Sequence, residues 1–134
     1  MNRRKAGRAL VVLAILFVAA LTACRPEAEQ GWLMGQVTIG PLQPVAEIGV
    51  PEPTPDPEVY TARQIVVFDP DSGAEVLRAG LDTNGQYRVA LPAGIYTVDI
   101  NHAGIDSAAG LPATVEIYPN QATQLDVAID TGIR

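Results

Sequence analysis

An all-β fold, a sandwich of two antiparallel sheets with seven strands in all, follows from three observations. Short runs of alternating apolar and polar residues recur from Trp32 to Ile129. The 11 Pro and 12 Gly fall largely between those runs, where turns need a fixed or a positive φ. Each run has one apolar face, and two stacked sheets bury all such faces where a single open sheet leaves half uncovered. A chain of 134 residues supports one compact domain at most.

The first segment is set apart by its charges. Arg3, Arg4, Lys5 and Arg8 precede an uncharged run from Ala9 to Ala23, and all 15 acids lie after Cys24. That is the layout of a targeting peptide. The uncharged run of about 15 residues spans about 22 Å as a helix, short of the roughly 30 Å hydrocarbon core of a bilayer. Residues 1–23 are therefore expected to be an export signal, closed by Leu21-Thr22-Ala23-Cys24. Those four residues resemble the lipobox of bacterial lipoproteins. The resemblance implies cleavage before Cys24, diacylglycerol on its thiol, and a further acyl chain on the new amino group. Cys24 is thus the expected lipid attachment residue, holding the body to a bacterial cell membrane or outer membrane, outside the cytoplasm. Two or three chains, at about 0.8 kcal/mol per buried CH₂, make such anchoring effectively permanent.

After that cleavage five cations face 15 anions, a net charge of about -10, and no lysine remains. This balance repels nucleic acid and anionic lipid. A single Cys forbids an intrachain disulfide, and one Cys with one His cannot furnish a tetrahedral zinc site. No cofactor is expected.

Residues 24–30 are polar or small and suit a tether; the domain is expected over 31–134. Trp32 to Ile39 forms the first strand, with Leu33, Val37 and Ile39 inward, and Gly40-Pro41 ends it. Residues 41–58 hold six Pro, so they are not expected to join a sheet. The alternating prolines of Pro51 to Pro57 favour extended polyproline II, an acidic spacer or a recognition segment. Arg63 to Asp69 is a strand with Ile65 and Val67 inward, turned at Asp69-Pro70-Asp71-Ser72-Gly73 into Ala74 to Ala79. Asp82-Thr83-Asn84-Gly85 reads as a second hairpin turn, into a strand whose Tyr87, Val89 and Leu91 share a face. Beyond Pro92-Ala93-Gly94, Ile95 to His102 alternates cleanly, with Tyr96, Val98 and Ile100 on the dry side. A Gly- and Ala-rich connection follows from Ala103 to Pro112. Ala113 to Tyr118 and Thr123 to Ile129 complete the set around Pro119-Asn120.

The segments Val67-Phe68-Asp69 with Ser72-Gly73, Asp82 through Tyr87, and Leu91-Pro92-Ala93-Gly94-Ile95-Tyr96-Thr97-Val98 resemble the carboxypeptidase regulatory-like family and its prealbumin-like and Cna B-type relatives. The resemblance spans roughly Thr61 to Ile129, with Trp32 to Ile39 as a first strand. It implies a seven-stranded Greek-key sandwich used as a stalk, spacer, adhesion or binding module, and its name implies no peptidase activity. Two departures matter. The Lys–Asn crosslink of many Cna B-type modules finds no lysine after Cys24 to pair with Asn84, Asn101 or Asn120. The Tyr-Arg-Gly-Ser ending of the prealbumin-like hydroxyisourate hydrolases is replaced by Asp130-Thr131-Gly132-Ile133-Arg134.

Catalytic candidates are few. By alternation Asp99 and His102 fall on opposite faces of their strand, a poor pairing, and the only two serines, Ser72 and Ser107, sit in no nucleophile elbow. The Asp-rich turns gather oxygen atoms as a calcium loop does, yet lack the EF-hand frame, and Asx residues occupy such turns for backbone reasons. Tyr87 and Tyr96 read as core; Trp32, Tyr60 and Tyr118 are the rings available to stack on a ligand. The expected function is a non-enzymatic, lipid-anchored module that supports or binds a protein or an envelope polymer. The alternative is an accessory protein binding carbohydrate or another small ligand.

Overall fold

The computed structural model describes residues 27–44 and 48–133. The signal segment, the lipobox and Cys24 lie outside the described residues. Two sheets stack as expected. One is ordered β4-β1-β9-β6, with β8 also pairing β1, and the other β3-β2-β5-β7. The strands are β1 (Gln30–Gly40), β2 (Gln64–Phe68), β3 (Glu75–Gly80), β4 (Gln86–Pro92), β5 (Gly94–Ile100), β6 (Ser107–Ala108), β7 (Ala113–Ile117), β8 (Ala122–Gln124) and β9 (Val127–Asp130).

Alternation dictates the core. Leu33, Val37 and Ile39 of β1 point inward with Tyr87 and Leu91 of β4, and Val127 and Ile129 of β9 join them. Ile65 and Val67, Val98 and Ile100, and Val115 and Ile117 belong to the same cluster from the second sheet. Val66 is buried as well, so β2 is covered on both faces at its centre.

Several expectations need correction. Nine strands are present among the described residues, where seven were expected. Within the Ala103 to Pro112 connection, Ser107 and Ala108 pair with Asp130 and Ile129 as the two-residue β6. The run from Thr123 to Ile129 is broken at Leu125-Asp126 into β8 and β9. Both pieces run parallel to β1 in one continuous register, Trp32 opposite Ala122 and Val37 opposite Val127. The first sheet is therefore mixed rather than antiparallel. Asp82 to Gly85 turns the chain as expected, but it carries β3 of one sheet into β4 of the other and closes no hairpin between them. Residues 57–58 of the Pro-rich segment open a short helix, α1 (Pro57–Thr61). Asp56 stays extended, as a residue before proline must, and Pro57 begins the helix with its φ already fixed.

The break between β8 and β9 has a visible cause. Gly35 of β1 faces inward beneath the Leu125 carbonyl, and a methyl group at Gly35 would overlap that carbonyl oxygen and press on the Tyr87 ring. Tyr87, paired across from Gly35 on β4, reaches over the glycine and donates its hydroxyl to the Leu125 carbonyl at 2.6 Å. Burial, with the negative charge of Asp126 behind it, pushes the Tyr87 hydroxyl well above its ordinary pKa, so it stays a donor. Asp126 turns outward instead and accepts the backbone N–H of Gln36 at 2.9 Å.

Gly35→Ala is expected to destabilise the fold by roughly 3 kcal/mol through this overlap. Tyr87→Phe keeps the ring and loses only the hydrogen bond, about 1 kcal/mol. Urea unfolding followed by circular dichroism compares them; equal losses would contradict the close approach at Gly35.

Candidate functional site

The strands place the loops at two poles. Where β1 begins, the Ala93 N–H donates to the Glu29 carbonyl and the Asn120 N–H to the Gln30 carbonyl. This is the entry pole. Where β1 ends, Thr131 donates its N–H to the Gly40 carbonyl and its hydroxyl to the Pro41 carbonyl. This far pole carries α1, the Asp82 to Gly85 turn and the loop after β5.

The far pole holds the one polar cluster that contains His102. Arg63, just after α1, grips Asp106 with Nε at 2.7 Å and a second nitrogen at 3.1 Å, and gives its remaining nitrogen to the Val59 carbonyl at 2.7 Å. Both side chains are largely out of water. This pair, 43 residues apart in sequence, was not foreseen from alternation or motif. Its only trace in the sequence is an arginine at a strand start and a lone acid in a Gly- and Ala-rich loop.

His102 departs from expectation. Regular strand geometry stops at Ile100, and His102 takes a left-handed φ of 41°, which swings the ring back toward Asp99. Its Nε2 lies 3.1 Å from both Asp99 carboxylate oxygens, and its Nδ1 lies 3.3 Å from the Asp106 backbone carbonyl. Both partners only accept, so the doubly protonated ring alone donates to both. The Asp99 carboxylate first, and the Asp106 carbonyl second, hold its pKa above the ordinary 6.5. A ring fixed in this way offers no free lone pair for general-base work. No serine bonds to it, and no buried side-chain nitrogen or oxygen among the described residues lacks a partner.

The Asp-rich turns are likewise engaged with their own backbone. Asp69 accepts the N–H groups of Ser72 and Asp71, at 2.9 and 2.8 Å, and these bonds lower its pKa. Asp82 accepts the N–H groups of Asn84 and Gln86, each at 2.8 Å. Among the described residues no group of three His, Cys, Asp or Glu side chains is placed to hold a metal ion.

The aromatic rings do not gather on one surface. Tyr87 is core and Tyr96 is half-buried, bonded to the Pro92 carbonyl at 2.8 Å. Tyr60 lies over Gly85, whose φ of 78° and lack of room leave no place for a side chain. Tyr118 is exposed and donates to Glu116 at 2.6 Å. Trp32 stands on the outer face of β1, with the Arg88 guanidinium 5.2 Å from its ring centroid. That contact joins β1 to β4 and was also missed in sequence, because it requires knowing that Trp32 and Arg88 lie on neighbouring strands.

Arg63→Ala leaves Asp106 buried without its counter-charge and is expected to cost roughly 3 kcal/mol in urea unfolding. Arg78→Ala, which removes an exposed pair with Glu75, is expected to change stability little. In an NMR titration His102 is expected to titrate above 6.5. Its raised pKa contributes stability in full below pH 6.5, and that contribution fades as pH rises through the folded-state value. Asp99→Asn should lower the His102 pKa, and an unchanged titration in that variant would contradict the pairing.

No family model matches the chain, and no curated protein does. Solved structures with a similar course include a DUF3823 family protein from Parabacteroides merdae, at 14% identity and a TM-score of 0.48, covering 77% of this chain and 47% of that one. The Bacillus anthracis TIE protein aligns at 19% identity and a TM-score of 0.48, over 75% of this chain and 16% of that one. GBS52, the minor pilin of Streptococcus agalactiae, aligns at 9% identity and a TM-score of 0.48, over 76% and 44%. The chain spans less than half the length of each of these structures.

Proposed function

We propose that this chain is a lipid-anchored sandwich on the outer side of a bacterial membrane, a structural or binding module rather than a catalyst. The observation that supports this reading most is the position of the entry pole. Gln30 already belongs to β1, so a lipid on Cys24 would hold the sandwich by that pole and turn the far pole outward. The engagement of the His102 ring by Asp99 and the Asp106 carbonyl supports the non-catalytic half, since both ring nitrogens already have acceptors from the fold. If the interrupted β8–β9 counts as one strand and two-residue β6 is set aside, seven principal strands remain. That number fits the Greek-key sandwich implied by the family resemblance.

Intact-mass analysis of the protein purified from membranes is expected to give a chain beginning at Cys24 with added acyl mass. Cys24→Ala is expected to keep its leader or to leave the membrane fraction. A mature product with an unmodified amino terminus would overturn the anchor.

A further inference from the structure

The outer face of the mixed sheet carries an open groove of about 690 Å³ whose lining includes Met34, Asp82, Gln86, Arg88 and Gln124. Register explains the grouping. Arg88, Met34 and Gln124 form one row across β4, β1 and β8, and Gln36 and Gln86 form the row beside it. On the other side Trp32 is flanked by Ala90 and Ala122, small residues that leave its ring uncrowded.

Arg88 stands out chemically. Of the three arginines among the described residues, Arg63 and Arg78 are bound to carboxylates and Arg88 is bound to none. Acids outnumber Lys and Arg by 15 to 9 in this chain, so an arginine left without an acid is the exception. Its planar fork of donors matches a carboxylate, and its stacking on Trp32 limits the freedom that binding would otherwise remove. Beside it, Gln86 and Gln124 are both exposed, and Gln124 donates its amide N–H to Asp126. Such amides suit hydroxyl groups, and the exposed Met34 offers an apolar contact to the C–H face of a ring. Asp82 on the same lining already accepts the N–H groups of Asn84 and Gln86, so the single cation Arg88 matches one carboxylate, and the acid beside it disfavours a run of phosphates.

We propose that this groove binds a carboxylate-bearing saccharide, a uronic acid unit of a glycan. Arg88 takes the carboxylate through paired N–H···O bonds, and Gln86 and Gln124 take ring hydroxyls. The proposal rests on reading the sandwich as a binding module and is independent of the lipid anchor.

Trp32 is the sole tryptophan, so the emission of the full-length protein in detergent reports on this face directly. Galacturonate and glucuronate trisaccharides, their methyl esters, and a short peptide with a free terminal carboxylate are titrated in parallel, with calorimetry as a second readout. At least one uronate is expected to bind saturably, and its uncharged ester at least ten-fold more weakly. Arg88→Gln is expected to lose at least ten-fold in affinity with an unchanged thermal midpoint, and Gln124→Ala to lose less. Equal binding of acid and ester, undiminished binding by Arg88→Gln, binding of the peptide alone, or no binding of either uronate would each overturn the proposal. None of those results touches the anchor, which the mass of the mature amino terminus decides separately.

Discussion

The close approach of the Leu125 carbonyl to Gly35, capped by the Tyr87 hydroxyl, is the point on which the mixed sheet depends. A side chain at position 35 would push the last strand away from β1. With Gly35 there, the carbonyl comes in, the Tyr87 hydroxyl satisfies it, and β8 and β9 hold one register on either side of the break. The rest of the sheet follows from that closure. Among the described residues β9 is the partner of β6, and the residues after β9 close over Gly40 and Pro41 at the far pole.

Electrostatics divides the scarce cations among distinct tasks. Arg63 is spent inside, where it neutralises Asp106 and ties α1 to the loop after β5. Arg78 pairs with Glu75 on the exposed β3 edge, where a bulge between Val67 and Phe68 and the charged pair discourage further strand pairing. Arg88 lies on the aromatic ring of the outer face. Among the described residues His102 adds a conditional cation to the three arginines, because two acceptors with no donor of their own surround it.

Alternation made much of this legible. The inward residues of β1, β2, β4, β5 and β7 can be read from Leu33 to Ile117 without coordinates, because a period of two sorts side chains onto faces directly. Alternation does not say which strand lies beside which. The parallel pairing of the first and last strands, the two-residue β6 and the crossing of Asp82 to Gly85 between sheets are all set by contacts distant in sequence. His102 departs from alternation for a local reason: the facing rule holds only while the backbone stays extended, and a left-handed residue reverses it. Arg63 with Asp106 and Arg88 with Trp32 were hidden because each joins elements whose adjacency only the tertiary fold creates.

The parallel alignment of β1 with β8 and β9 also fixes how the molecule responds to tension. A pull on residue 27 and an opposing pull on residue 133 act along the axes of neighbouring strands, at opposite ends of their shared ladder. The hydrogen bonds between them are then loaded in shear, all at once, instead of being peeled open one by one as at the end of a hairpin. Rupture requires the whole ladder to slip together, which makes this seam the mechanical clamp of the sandwich.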